Sequence, residues 1–156
     1  MRRVALAPVL LAVCIVHAAG SQNTERPEDW PEGSAMRTGL LARQALDKLD
    51  RTIAARHAEL ANAVAAAGAD SRLQAALKKQ QAAWKKYVPE ECELVGAATG
   101  AGGAWPSTYA VQCEVGLADQ RAKRLQEALA CVKKNADAQD GIGDCLSAVA
   151  PLAGKS

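Results

Sequence analysis

Residues 77–92 decide the fold and read LKKQQAAWKKYVPEEC. Bulky side chains recur in and around this stretch at three- and four-residue steps, the period of one face of an α-helix. The stripe consists of Leu73, Leu77, Gln81, Trp84, Val88 and Cys92. Pro89 lies inside the pattern and is expected to interrupt or kink the helix, because proline lacks a backbone N–H and clashes with the preceding turn.

An earlier helix is predicted from about Met36 to Gly68. Gly68 is a typical glycine just beyond a helix C-terminus. Asp70 or Ser71 is expected to cap the helix that follows, by accepting a hydrogen bond from a free N–H of its first turn. The inward face of the earlier helix carries Leu46, Leu49, Ile53, His57, Leu60 and Val64.

A glycine-rich loop, residues 96–106, separates the second helix from a third. It contains Gly100, Gly102, Gly103 and Trp105. The loop lacks the Lys-Ser/Thr ending of a phosphate-binding loop and follows no strand, which disfavours a nucleotide site.

The third helix is expected to be capped by Ser107 or Thr108. A short fourth helix is predicted over residues 142–149. The inward face of the third helix is predicted to be Ala110, Cys113, Leu117, Arg121, Leu125, Ala128 and Val132.

Sustained alternation of apolar and polar residues is missing from the whole sequence, and alanine, the best helix former, is abundant. The fold class predicted is therefore all-α. The architecture expected is a small antiparallel bundle of three long helices plus a short C-terminal helix, stapled by disulfides.

The first twenty residues have the pattern of a secretory signal peptide. Arg2 and Arg3 precede an apolar run, and small residues follow before the chain turns polar. An uncleaved N-terminal anchor is the alternative. Cys14 lies inside the apolar run after Val13 rather than after a small residue, so we interpret it as part of the signal and not as a lipid-attachment site.

These patterns divide the chain into three segments: a signal peptide at 1–20, a disordered leader at 21–35 and a helical domain at 36–156. The leader is polar and contains two prolines. Trp30 either docks onto the domain or has no structural role. Export implies a periplasmic or secreted protein with no stable membrane insertion after the signal is removed.

Four cysteines remain after the signal, an even number in an exported chain, and this pattern indicates disulfides. Three pairings are possible. Antiparallel helix hairpins favour Cys92–Cys113 and Cys131–Cys145, because each pair lies across one turn of the bundle. Each bond is expected to contribute about 3 kcal/mol, chiefly by restricting the unfolded chain.

Several classes of function are disfavoured by composition. The formal charge is +2, and loss of Arg2 and Arg3 leaves the mature chain near neutral, so nucleic acid is not an expected partner. Without the predicted signal the chain has one histidine, His57, which is too few for a typical His/Cys metal site. No serine or cysteine nucleophile has an evident general base. No apolar pocket is expected around Glu90-Glu91 to raise a carboxyl pKa, which disfavours general acid catalysis there. We therefore predict no catalytic residues, no metal and no cofactor.

A spaced set of residues runs through the second helix, the loop and the third helix: Leu77, Gln81, Trp84, Tyr87 and Cys92, then Gly102-Gly103, then Cys113, Leu117, Arg121 and Leu125. This set resembles the motif of the LprI-like lysozyme inhibitor domain, a small exported helical module. The chain departs from the family pattern at Val88-Pro89, where Arg-Asp is usual. Cys131 and Cys145 lie outside the pattern.

The resemblance implies an exported lysozyme inhibitor that acts by protein–protein binding. The candidate contact is the loop with Gly100, Gly102, Gly103 and Trp105, held at its base by Cys92–Cys113. The alternative is an envelope adaptor whose helix faces bind some other protein. Within the fold, Trp84 is interpreted as a core anchor and His57 as a packed histidine. Arg121 is expected to bond a loop carbonyl or a carboxylate such as Glu91.

Overall fold

The computed structural model describes residues 25–136 and 141–150. The proposed signal peptide, Cys14 and the start of the leader lie outside these residues. The described elements are a short 3-10 helix at Pro27–Asp29 and four α-helices: α1 (Ala35–Ala66), α2 (Ser71–Ala98), α3 (Trp105–Lys134) and α4 (Ile142–Ser147). No strand occurs in the described part of the chain. The all-α prediction, with three long helices and one short helix, is confirmed.

The long helices run up, down and up, so that α1 and α3 are parallel and α2 is antiparallel to both. Thr108, at the start of α3, donates a hydrogen bond to the carbonyl of Ala35, at the start of α1 (2.9 Å). Further along, Arg56 Nη1 donates to the Ala122 carbonyl (2.8 Å). The third helix is the centre of the bundle, because it contacts both α1 and α2 extensively whereas those two touch each other little.

The turn between α1 and α2 forms as local sequence signals predict. Gly68 has a φ of 76°, in the left-handed region that glycine enters without strain, and the chain leaves the helix there. The side chain of Asp70 accepts a hydrogen bond from the Leu73 N–H at 2.7 Å and so caps α2.

Two helix boundaries differ from the expected ones. Pro89, which was expected to interrupt or kink α2, does not interrupt it, and the helix continues to Ala98. Pro89 and Lys85 are both exposed, so water can satisfy the carbonyl that loses its helical partner. Neither Ser107 nor Thr108 caps α3, which begins at Trp105 with Pro106 in its first turn, a position where the missing N–H costs nothing.

The buried face of α3 is rotated slightly from the predicted one. Ala110, Cys113 and Leu117 are half-buried. The rotation follows from the central position of α3, since its buried face must serve two neighbouring helices rather than one. The buried positions of α3 are Thr108, Val111, Ala118, Arg121, Ala122, Leu125, Ala128, Leu129 and Val132.

The leader, expected to be disordered, contains a short helix within its described residues, which begin at Glu25. Pro27 is buried, and the 3-10 helix that it starts contacts α1. Trp30 is half-buried. None of the described helices is both long and apolar enough to cross a membrane.

Candidate functional site

Both predicted disulfides are present. Cys92 of α2 is bonded to Cys113 of α3, with their Cα atoms 5.5 Å apart. Cys131 of α3 is bonded to Cys145 of α4, with a Cα separation of 5.4 Å. The first bond ties the two arms of a helical hairpin, and the second holds the short α4 against the far end of the bundle.

The hairpin presents the glycine loop, which we define as residues 99–104. It is shorter than the predicted loop because α2 extends to Ala98 and α3 starts at Trp105. Gly100 and Gly103 both have a φ of 64°, which side-chain-bearing residues rarely adopt. Gly102 is exposed, and a Cβ added there would meet nothing within 4 Å. The three candidate glycines therefore lie together at the tip of the hairpin.

Trp105, the fourth candidate, lies in the first turn of α3 and not in the loop. Its ring stacks on that of Tyr109, with centroids 5.5 Å apart. Trp105 is half-buried, whereas Tyr109 is exposed. Tyr109 was not among the residues predicted from the sequence, although its i, i+4 spacing from Trp105 indicates a shared helix face.

At the base of the glycine loop the two helices approach very closely. A Cβ on Gly96 would overlap the carbonyl oxygen of Pro106 and lie 3.1 Å from the Cβ of Ala110. Thr99 Oγ1 donates to the Gly96 carbonyl at 2.7 Å and accepts from the Ala101 N–H at 3.3 Å. These contacts and the disulfide hold the loop in place on both sides.

Three motif residues, Arg121, Gln81 and Trp84, form the Arg121 cluster together with Gln80 and the Val149 carbonyl. Arg121 is 2% exposed. Its Nε and Nη2 donate to Gln81 Oε1 at 3.1 and 2.6 Å, and Nη2 also donates to Gln80 Oε1 at 2.5 Å. Nη1 donates to the Val149 carbonyl at 2.7 Å, and the guanidinium carbon lies 5.6 Å from the Trp84 ring centroid.

Every hydrogen-bond partner in the Arg121 cluster is uncharged. Burial, with a smaller contribution from the nearby charge of Arg124, lowers the pKa of Arg121 to about 10. The guanidinium therefore stays charged at neutral pH although no carboxylate among the described residues pairs with it. The partner expected from the sequence was a loop carbonyl or a carboxylate such as Glu91. The carbonyl is found at Val149, whereas the two glutamines take the place of a carboxylate.

His57 lies close to this cluster, half-buried between α1 and α2. Burial is the main effect and lowers the pKa of the imidazole, and the charges of Arg121 and Lys85 lower it further. A hydrogen bond with the backbone of Leu77 acts in the opposite direction and raises the pKa. Two buried side-chain nitrogens in the described part of the chain have no hydrogen-bond partner, His57 Nε2 and Gln81 Nε2. The site is arranged for packing and hydrogen bonding, and no nucleophile–base pair is brought together there.

The other motif residues divide between core and surface. Leu125 is fully buried and Leu117 half-buried, while Tyr87 is exposed. Within the described residues, no three His, Cys, Asp or Glu side chains gather as metal ligands.

Comparison of the sequence with known protein families identifies one family whose match includes most of these features. The family described as "Lysozyme inhibitor LprI" matches residues 33–125, more than half of the chain. The chain belongs to the LprI lysozyme inhibitor family. The part matched to LprI contains α2 and α3 as far as Leu125, with the Cys92–Cys113 bond, the glycine loop and the Arg121 cluster except for Val149. The Cys131–Cys145 bond and α4 lie beyond it. No curated protein and no solved structure matches the chain.

Proposed function

We propose that this LprI-family protein is exported and inhibits lysozyme by direct binding, with the glycine loop as the segment that enters the substrate cleft. The observation that carries the proposal is the exposed loop at the tip of a disulfide-tied helical hairpin, beside the Trp105–Tyr109 pair. The expected site of action is the periplasm or the surroundings of the cell, consistent with the disulfides.

The composition of the loop suits insertion into a narrow cleft. Residues 99–104 read TGAGGA, so no side chain in the loop is larger than threonine and none is charged. A loop that is already fixed by its neighbours loses little conformational freedom on binding. The stacked aromatic pair at its base offers the type of side chain that most often anchors an interface.

The proposal is tested with the purified chain lacking residues 1–20, in an assay of peptidoglycan lysis by lysozyme. Gly102→Lys adds bulk and charge at the loop tip without a steric conflict inside the protein. We expect the wild type to inhibit and Gly102→Lys to inhibit at least about tenfold less, as expected when an interface loses a central contact. Gly116→Lys is the matched control, because Gly116 is exposed on α3 and a Cβ added there also has no other atom within 4 Å.

Two results would contradict the proposal. Absence of inhibition by the wild type at high molar excess removes lysozyme as the target. Equal inhibition by Gly102→Lys and Gly116→Lys removes the loop as the contact, even where the wild type inhibits.

One observation favours the envelope adaptor as a second candidate function. Three large apolar side chains, Tyr87, Leu94 and Val95, are exposed on the C-terminal half of α2, and Leu94 is 66% exposed. Exposed apolar patches of this kind often bind other proteins. A photo-crosslinking residue at position 94, compared with one at position 102, tests this candidate in intact cells. The adaptor would be favoured if a single protein were crosslinked at position 94 and not at position 102. Tyr87→Glu should then abolish that crosslink.

A further inference from the structure

A cavity of about 390 Å³ lies between α2 and α3, and residues of the Arg121 cluster line it. Its volume falls within the range of small-molecule sites in proteins. Trp84, Val88 and Leu117 supply apolar walls. Tyr87 and Gln120 add polar atoms, and Arg121 and Arg124 add two guanidinium groups.

The charge of this cavity is unbalanced. Both of its basic groups are arginines, and no aspartate or glutamate lines it. Arg121 is almost fully buried, and its partners in the described residues are two side-chain amides and one backbone carbonyl. A buried charge without an opposite charge is costly, and an anion placed nearby would reduce that cost.

Donors remain available to such an anion. Arg121 has five N–H groups. Its hydrogen bonds to Gln80, Gln81 and Val149 occupy Nε, both hydrogens of Nη2 and one hydrogen of Nη1. Arg124 is half-buried, and no carboxylate of the described part of the chain lies within ion-pair distance of it. One N–H of Arg121 and the head group of Arg124 can therefore face a ligand.

We propose that this cavity binds a small organic carboxylate with an apolar body. The carboxylate pairs with Arg124 and the remaining N–H of Arg121, and the apolar body packs against Trp84 and Leu117. A guanidinium matches the two oxygens of a carboxylate geometrically. The apolar walls and the small number of free donors disfavour inorganic phosphate, which needs more polar partners.

Phenylacetate is a suitable probe, with its neutral isostere phenylacetamide and inorganic phosphate as comparisons. Binding is measured by calorimetry and by the NMR shift of the Trp84 indole N–H. We expect saturable 1:1 binding of phenylacetate, and binding of phenylacetamide at least about tenfold weaker, since a hydrogen bond to a charged group is lost. A short peptide ending in phenylalanine distinguishes a chain terminus from a free acid as the source of the carboxylate.

Arg124→Gln is the informative variant, because removal of the buried Arg121 would disturb the fold. We expect it to weaken phenylacetate binding about tenfold. Arg72→Gln is the matched control: it removes the same charge from an exposed position at the start of α2 and is expected to leave binding unchanged.

Four outcomes would overturn the inference. These are no saturable binding of phenylacetate at millimolar concentration, equal binding of phenylacetamide, equal competition by inorganic phosphate, and equal weakening by Arg124→Gln and Arg72→Gln. The inference does not depend on the proposed lysozyme inhibition, which is assigned to the glycine loop and tested in a separate assay.

Discussion

Gln81 is the residue on which the buried guanidinium of Arg121 depends most. Its Oε1 accepts two of the arginine's hydrogen bonds while the side chain itself is 6% exposed. Gln81→Ala leaves two donors of a buried charged group unpaired, and such a loss costs about 2 kcal/mol. We expect the free energy of unfolding to fall by that amount in urea denaturation, with the slope of the transition unchanged.

Gln112→Ala is the control for this change, because Gln112 is an exposed glutamine on α3. It is expected to alter the free energy of unfolding by less than about 0.5 kcal/mol. If both substitutions cost the same, helix propensity rather than the hydrogen bonds would account for the effect of Gln81→Ala.

His57 makes stability depend on pH. Burial lowers the pKa of its imidazole in the folded protein, and the positive charges of Arg121 and Lys85 act in the same direction. The unfolded chain, in which this pKa is about 6.5, then binds more protons near that pH. Stability therefore falls as the pH falls through about 6.5 and stops falling, as far as His57 is concerned, below the folded pKa.

His57→Gln removes this titration and should flatten the pH dependence of unfolding between about pH 5 and pH 8, the range in which histidine titrates. The comparison uses the chain without residues 1–20, so that His57 is its one histidine. An NMR titration of the imidazole checks the cause directly. A folded pKa above the ordinary histidine value would contradict the prediction.

The individual residues of the cluster show what a sequence pattern can and cannot predict. Spacing along one helix places Arg121 and Gln81 on inward faces, because helical periodicity is a local property. It does not predict that the two meet, since the relative height of two helices depends on packing between residues far apart in sequence. Glu91 was a reasonable partner by charge, but Gln80, Gln81 and Val149 accept from four of the five N–H groups of Arg121.

The contact between α2 and α3 depends on a glycine. Any Cβ on Gly96 would collide with the backbone carbonyl of Pro106, which cannot rotate away as a side chain can. Gly96→Ala should therefore separate the helices at the base of the glycine loop. We expect a loss of about 1 to 3 kcal/mol in unfolding free energy, typical of overpacking.

Gly116→Ala provides the matched comparison, because it places the same methyl group in open space on α3. Removing a glycine from a helix interior there should stabilise the protein by about 0.5 to 1 kcal/mol. Thermal unfolding of the two variants gives both values. Stabilisation by both substitutions would show that the α2–α3 contact can relax.

Helix boundaries were predictable where they depend on local chemistry. Gly68 and Asp70 mark the α1–α2 turn because a left-handed glycine and a capping carboxylate act within a few residues. The start of α3 was not predictable from local chemistry. The Thr108 hydroxyl donates to the carbonyl of Ala35 in α1 and to the Ala104 carbonyl, and it does not cap α3. Pro89 is tolerated for a similarly non-local reason: the bundle leaves that side of α2 exposed to water.

For the molecule as a whole, the disulfides have different tasks although their pairing follows from the same hairpin geometry. Cys92–Cys113 joins two long helices that already pack along their lengths. Cys131–Cys145 holds α4, six residues long and too short to be a stable helix alone. Through this second bond the Val149 carbonyl reaches Arg121, and Ile142 and Val149 join the core.

Removal of the two bonds should therefore have different consequences. Chain entropy assigns each about 3 kcal/mol. Replacing Cys92 and Cys113 by serine should lower the free energy of unfolding by about that amount, with α2 and α3 still protected in hydrogen exchange.

Replacing Cys131 and Cys145 by serine should lower it by more, since α4 detaches, its apolar side chains return to water and Arg121 loses a buried partner. Exchange of the amides of α4 should then become fast in the native state while the long helices stay protected. Equal losses of stability, or a protected α4 without its disulfide, would show that packing alone holds the C-terminal helix.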